Sequence, residues 1–207
     1  MDQINKLLWK DRWDLNYKHH YQGEIHLPAE TKDFHPWFPE FLFPVWRKLN
    51  KNDDVLEIGC GTGNKIETVF SKVNSIKGMD ISESAVNVAK ERFKACSDVS
   101  FDFNTSISGN YDLIYCLSVF QHIPKEFTKE YIKSAFDCLK SGGALFFNVI
   151  YGVSSMNYAI ITTAEKCEPT IEFLEEEIKS YCREAGFTDI SLFDYVSRGY
   201  MVICKKP

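Results

Sequence analysis

Between residues 55 and 63 the chain reads Val-Leu-Glu-Ile-Gly-Cys-Gly-Thr-Gly, an aliphatic segment that runs directly into alternate glycines. Glycine tolerates positive φ and carries no Cβ, so a ligand can lie against the backbone of such a turn. A helix that follows the turn adds N–H groups with no partner inside the helix. Glu57 stands two residues ahead of Gly59, and a second acidic residue, Asp80, ends the next aliphatic segment. A carboxylate in that place can accept hydrogen bonds from both hydroxyls of a ribose. The combination points to a ligand that contains adenosine.

The details separate one adenosine ligand from another. A dinucleotide fingerprint requires G-x-G-x-x-G/A, yet counting from Gly59 the last position is Asn64, and a pyrophosphate there would face Glu57. A P-loop requires Gly-Lys-Ser/Thr after the turn, and none follows. S-adenosylmethionine carries an ammonium, a carboxylate and a sulfonium instead of phosphates, so an acidic residue beside the turn attracts it rather than repels it.

These residues need elements to hold them. Short aliphatic or β-branched runs at 55–58, 75–79, 99–103, 111–117 and 144–150 predict strands. Amphipathic stretches at 65–73, 83–93 and 125–139 predict the helices between them, the second with Ser82 as N-cap. Ser141-Gly142-Gly143 is expected to break the chain before the fifth strand. A helix over 170–185, stopped by Gly186, leads to strands at 189–196 and 200–204 that reverse at Arg198-Gly199. The expected fold is α/β: a three-layer Rossmann-like sheet of mostly parallel strands that ends in an antiparallel C-terminal hairpin, with an N-terminal helical lid. Two regions follow, an extension over 1–53 and the ligand-binding domain over 54–207.

The extension holds all four tryptophans, Trp9, Trp13, Trp37 and Trp46, and four of the five histidines, His19, His20, His26 and His35. Trp9, Trp13 and Tyr17 fall on one helical stripe. Two readings stand: the stripe docks on the sheet as core, or it docks and also closes over a ligand, with Tyr21 as a candidate substrate contact. No cysteine or paired carboxylate completes a ligand set with these histidines, so no metal is expected.

From about residue 54 to 204 the chain resembles the class I S-adenosylmethionine-dependent methyltransferases. Their E/D-x-G-x-G-x-G motif is matched by residues 57–63, and their acidic residue after the second strand by Asp80 in Gly-Met-Asp-Ile-Ser. Their fourth-strand segment looks like residues 111–123, and their L-x-P-G-G turn like Leu139-Lys140-Ser141-Gly142-Gly143, with Ser141 where proline is usual. Gly186-Phe187 and the strands beyond look like the family's ending.

That resemblance implies that Glu57 and the backbone through Gly59, Cys60, Gly61 and Gly63 line the methionine part of S-adenosylmethionine, with S-adenosylhomocysteine as product. It further implies that Asp80 holds the ribose, Ile81 packs on adenine and the Leu117 carbonyl receives the ligand ammonium. Many relatives place an acidic residue after the third strand, where this chain has Asn104-Thr105-Ser106 and keeps Asp102 inside the strand. Asn104 or Thr105 is expected to replace that adenine contact.

Methyl transfer from a sulfonium is an in-line displacement with a neutral leaving group, and holding its geometry can supply about 7–11 kcal/mol. An acceptor that must lose a proton needs a base. His122, after the fourth strand, is the candidate for that role and for substrate contact. The alternative reading has it orienting the cofactor or capping the next helix. Cys60 and Cys116 read as packing residues and Glu175-Glu176-Glu177 as a solvated helix start.

Composition bounds the rest. With 44% hydrophobic and 26% charged residues the chain is ordinary globular protein, and a net charge of -5 argues against a nucleic-acid partner. An odd seven cysteines with no C-x-x-C pair suggests reduced thiols and a cytoplasmic setting. The N-terminal residues offer only Leu7, Leu8 and Trp9 as an apolar stretch, and the longest apolar run, 144–153, is interrupted by Asn148, so neither a signal peptide nor a membrane span is expected. The expected acceptor is a small molecule methylated on oxygen or nitrogen. Two other readings stay open: an NAD(P)-dependent oxidoreductase, and a module that binds the cofactor without turnover.

Overall fold

The computed structural model describes residues 48–152, 159–163, 166–195 and 199–207. Residues 1–47, with Tyr21, the tryptophans and four of the histidines, lie outside the described residues, and so do the expected lid helix and the Arg198 side of the C-terminal reversal. The chain forms two compact units, Met1–Thr105 and Ser106–Pro207.

In the first unit β1 (Asp54–Ile58), β2 (Ser75–Asp80) and β3 (Val99–Phe103) form a parallel sheet in the order β3-β2-β1. Val55, Leu56, Glu57 and Ile58 are all buried, as in a parallel strand covered on both faces. The helix α2 (Glu83–Arg92) starts as expected at Ser82, whose Oγ accepts from the Ala85 N–H, and it buries Ala85, Val86 and Ala89. Gly78 lets β2 pack tightly, since a Cβ there would lie 2.8 Å from Cys60 Sγ, Ile66 Cδ1 and Phe101 Cδ1.

The helix expected over 65–73 is shorter than its pattern. It forms one α turn, α1 (Ile66–Val69), and tightens into a 3-10 turn at Phe70–Lys72. Its N-cap is Lys65, which makes no side-chain cap bond, and Ile66, Thr68 and Val69 are β-branched residues of low helix propensity.

In the second unit β4 (Tyr111–Cys116) and β5 (Leu139–Tyr151) pair in parallel, joined by α3 (Lys125–Cys138). Two further strands, β6 (Ala159–Thr163) and β7 (Lys166–Thr170), form a small antiparallel sheet of their own. The short β8 (Glu172–Phe173) adds to β5 in parallel, then α4 (Glu175–Ala185) leads to β9 (Asp189–Tyr195) and β10 (Gly199–Lys205). β10 lies antiparallel between β5 and β9, which gives the expected antiparallel C-terminal pair. Parallel pairings thus dominate, with the antiparallel ones at the separate β6–β7 pair and at the C-terminal strands.

Three boundaries differ from the expectation. The Ser141-Gly142-Gly143 segment interrupts the β4–β5 register, with Gly142 at φ 74°, but lies within β5 rather than before it, because the chain's tail pairs with it: Gly142 N–H donates to Lys206 O at 3.1 Å and Lys206 N–H to Gly143 O at 2.9 Å. The last helix begins at Glu175 and not at 170, because the residues before it are claimed by other partners. Ile171 N–H donates to Gln121 O at 2.8 Å, and Glu172–Phe173 pairs with Ile150 and Tyr151. The strands β6 and β7 were not among the expected elements, and their signal was the β-branched run in Ala-Ile-Ile-Thr-Thr.

Gly186 ends α4 in the left-handed region at φ 114°, as the sequence implied. Phe136 and Phe187 pack edge to face beside it with centroids 5.0 Å apart.

Candidate functional site

In the first unit the carboxyl ends of β1, β2 and β3 stand side by side, where open parallel α/β sheets bind their ligands. The turn after β1 begins with the N–H groups of Gly59 and Cys60, which donate to the Met79 carbonyl at 2.8 and 3.1 Å. Gly59, Gly61 and Gly63 all adopt positive φ, at 71°, 52° and 81°. The alternate glycines are therefore required by the backbone.

Two of these glycines face different surroundings. A Cβ on Gly63 would lie 2.8 Å from Phe93 Cε2 and 3.3 Å from Phe101 Cζ, so this glycine serves packing. A Cβ on Gly61 would meet nothing within 4 Å, which leaves the apex of the turn with an open side.

Asp80 joins that apex to the next helix. Its Oδ2 accepts from the Gly61 N–H at 2.8 Å and its Oδ1 from the Ser82 N–H at 2.8 Å. A carboxylate has about four acceptor sites, so capacity remains for a hydroxyl. Burial pushes the Asp80 carboxyl above its ordinary range, and the N–H groups of Ser82 and Gly61, the Lys65 ammonium and the Ile81 N–H offset only part of that.

Glu57 is fully buried, with Lys65 Nζ 3.7 Å from its Oε1. Burial, then Asp80 and Glu57, push the Cys60 thiol well up, so it stays protonated and is no nucleophile at neutral pH. Ile81 is half-buried after Asp80. Asn104 is exposed, its N–H donates to the Asp80 carbonyl at 3.2 Å, and its Oδ1 accepts from the Thr105 N–H at 2.7 Å. Glu57, Asp80, Ile81, Asn104, Thr105 and the glycine turn thus meet at one sheet edge.

A residue that sequence reasoning missed pins the turn. Arg92, at the end of α2, has a side chain only 2% exposed. Its Nη1 donates to Thr62 O at 2.6 Å and to Asn64 Oδ1, and its Nη2 pairs with Glu67 Oε2 at 3.1 Å. No local pattern announces it, because its partners lie 25 to 30 residues away.

In the second unit Leu117 is buried directly after β4, and Ser118 follows at φ 62°, in the left-handed region that side chains seldom adopt. The Ser118 N–H donates to Asn148 Oδ1 at 2.7 Å. A 3-10 turn, Phe120–His122, then buries Phe120 against Phe147 with centroids 5.2 Å apart and leaves His122 half-buried. His122 Nε2 lies 3.2 Å from Gln121 Nε2, and Asn148 Nδ2 lies 3.4 Å from Gln121 Oε1. Gln121 and Asn148 were missed as well, although Asn148 had a signal as the one polar interruption of the apolar run 144–153.

Among the described residues no group of three or more His, Cys, Asp or Glu side chains could hold a metal ion, and no helix is long and apolar enough to cross a membrane. Tyr21 lies outside the described residues.

Residues 56–145 match a sequence family described as "Methyltransferase domain". The ubiquinone biosynthesis O-methyltransferase of Aromatoleum aromaticum is 25% identical over 154 residues, 67% of this chain and 65% of that protein. The phosphoethanolamine N-methyltransferase of Plasmodium falciparum is 27% identical over 154 residues, 72% of this chain and 52% of that protein. The chain therefore spans under two thirds of either relative. The crystal structure of a S-adenosylmethionine-dependent methyltransferase from Methanosarcina mazei superposes with a TM-score of 0.63 at 18% identity, over 84% of this chain and 98% of that one. This last likeness is one of fold.

Proposed function

We propose that the chain is a class I S-adenosylmethionine-dependent methyltransferase that transfers the methyl group of S-adenosylmethionine to an oxygen or nitrogen of a small-molecule acceptor, a reading supported by the methyltransferase-domain match over residues 56–145. The observation that supports this reading best is the Gly61–Asp80 contact: a bare turn apex, open on one side, hydrogen-bonded to a carboxylate with acceptor capacity to spare. When bound, the cofactor supplies an electrophilic methyl on a sulfonium.

Asp80 would accept from the ribose hydroxyls, and the backbone from Gly59 through Cys60 and Gly61 to Gly63 would carry the methionine part. Glu57 contributes a negative potential that suits a cationic ligand and disfavours a pyrophosphate. Ile81 would pack on adenine, Asn104 or Thr105 would meet its amino group, and the Leu117 carbonyl would receive the ammonium. His122 would take the proton that an acceptor hydroxyl or protonated amine releases.

Oxygen and nitrogen are both carried in the proposal because the named relatives include an O-methyltransferase and an N-methyltransferase. The net charge of -5 supports a metabolite over a nucleic acid, and an odd seven cysteines with no C-x-x-C pair support a reducing, cytoplasmic setting.

The test is a panel of phenols, catechols and small amines incubated with the full chain and S-adenosylmethionine, with S-adenosylhomocysteine followed by mass spectrometry. Acceptor-dependent product supports the proposal. Thermal stabilisation by NAD(H) but not by S-adenosylhomocysteine would instead favour an oxidoreductase.

A further inference from the structure

Asn148 sits in the middle of β5, 7% exposed among apolar neighbours, and its side chain starts a relay of amides. The first group in the relay has fixed polarity. The backbone N–H of Ser118 can only donate, and it lies 2.7 Å from Asn148 Oδ1. An asparagine amide offers one carbonyl oxygen and one NH2, so with Oδ1 turned to Ser118 the NH2 must point the other way. There Asn148 Nδ2 lies 3.4 Å from Gln121 Oε1. Gln121 is oriented in turn: its oxygen receives Asn148, and its NH2 lies 3.2 Å from His122 Nε2. An amide NH2 only donates, so a neutral His122 must accept at Nε2 and carry its own proton on Nδ1.

We propose that Asn148 and Gln121 are positioning residues that hold the neutral imidazole of His122 as the Nδ1–H tautomer, with the Nε2 lone pair presented to a donor. The use of that tautomer rests on the methyl-transfer reading above. There the Gln121 NH2 keeps the place of an acceptor hydroxyl or ammonium, which would donate to Nε2 and then lose its proton to it. Ser118 takes part twice, since its φ of 62° turns its N–H toward Asn148 and the same bond holds that backbone in place.

The relay can be reversed by a near-isosteric change. The carboxylate introduced by Asn148→Asp still accepts from the Ser118 N–H but can no longer donate to Gln121. The Gln121 NH2 must then turn to the new carboxylate, its oxygen faces His122, and Nε2 has to carry the proton. Gln121→Glu has the same consequence by a shorter route, because a carboxylate is placed directly against Nε2.

The readout is the two-bond 1H–15N spectrum of the histidine rings in the 15N-labelled full chain, taken about two pH units above the ordinary histidine pKa. His122 is identified as the ring missing from a His122→Asn sample. The wild type is expected to give the Nδ1–H pattern, and Asn148→Asp and Gln121→Glu are expected to exchange the shifts of the two ring nitrogens. A wild-type Nε2–H pattern overturns the proposal, as does a Nδ1–H pattern that survives both substitutions. Should Asn148→Asp fail to fold, Gln121→Glu, at a half-buried position on the 3-10 turn, decides alone. No cofactor is present in this measurement, so it stands apart from a titration of the same sample with S-adenosylhomocysteine. Absence of binding there would remove the methyl-transfer reading and leave the tautomer result intact.

Discussion

The backbone N–H of Gly61 lies 2.8 Å from Asp80 Oδ2, so the apex of the glycine turn after β1 is fixed by the carboxylate that ends β2. Neighbouring parallel strands place both groups at their carboxyl ends, and the Ser82 N–H on the other carboxylate oxygen ties the same side chain to the start of α2. A change at any of the three groups is felt by the other two.

Gly61→Ala and Gly63→Ala are expected to separate binding from folding. Both positions have positive φ, so each substitution costs about 1–2 kcal/mol in backbone strain. At Gly61 the new methyl enters open space on the side proposed to face the ligand, and S-adenosylhomocysteine affinity should fall by about tenfold or more with only that modest loss of stability. At Gly63 the methyl meets the Phe93 ring at 2.8 Å, which adds about 1–3 kcal/mol of overpacking. Urea unfolding beside calorimetric titration checks the ordering: Gly63→Ala loses more stability, Gly61→Ala loses more affinity for each unit of stability lost.

Arg92→Ala should loosen the turn from behind. It strips the Thr62 carbonyl of its side-chain donor, at about 1–3 kcal/mol if that group is left unsatisfied, while Asn64 Oδ1 keeps only the Thr62 hydroxyl. Lysine lacks the planar fork that reaches Thr62, Asn64 and Glu67 together, so Arg92→Lys is expected to recover little. Hydrogen exchange over residues 59–67 is the direct measure, with faster exchange expected in both variants and no change at β9 and β10.

The pH dependence of cofactor binding follows from Asp80. Its carboxyl titrates above the ordinary 3.8 in the unligated protein, with burial as the main cause. On the proposed reading ribose hydroxyls would donate to the charged form, so the bound state would have the lower pKa and would release a proton on binding when the pH lies between the two values. Affinity for S-adenosylhomocysteine should therefore rise as the pH rises through the raised value of the free protein and level off above it. Calorimetry in buffers of different ionisation enthalpy would detect the released proton, and Asp80→Asn should abolish both effects.

Much of this site could be read without coordinates because its requirements are local. Positive φ at Gly59, Gly61 and Gly63 demands glycine, and the burial of Val55 through Ile58 on both faces demands an aliphatic run, so residue type reports structure directly. Asp80 was legible because one crossover sets its distance from the turn. What escaped depends on partners remote in sequence. The Gly142-Gly143 pair looks like a turn until the tail at Lys206 pairs with it. Thr170 to Phe173 looks like the start of a helix until β5 and Gln121 claim its hydrogen bonds. Arg92 and Asn148 hold groups about 30 residues away, and only the oddity of one amide in an apolar run hinted at the second.

The central claim is that the Gly59 to Gly63 turn and Asp80 together bind a sulfonium nucleoside, and it is tested most directly by calorimetric titration of the full chain and of Asp80→Ala with S-adenosylhomocysteine. Hydrogen bonds to a charged acceptor contribute about 1.5–3 kcal/mol each, so the variant should bind at least about tenfold more weakly than a wild type that binds one equivalent. A wild type that takes up no ligand, or an Asp80→Ala chain that binds as tightly as the wild type, would contradict the account.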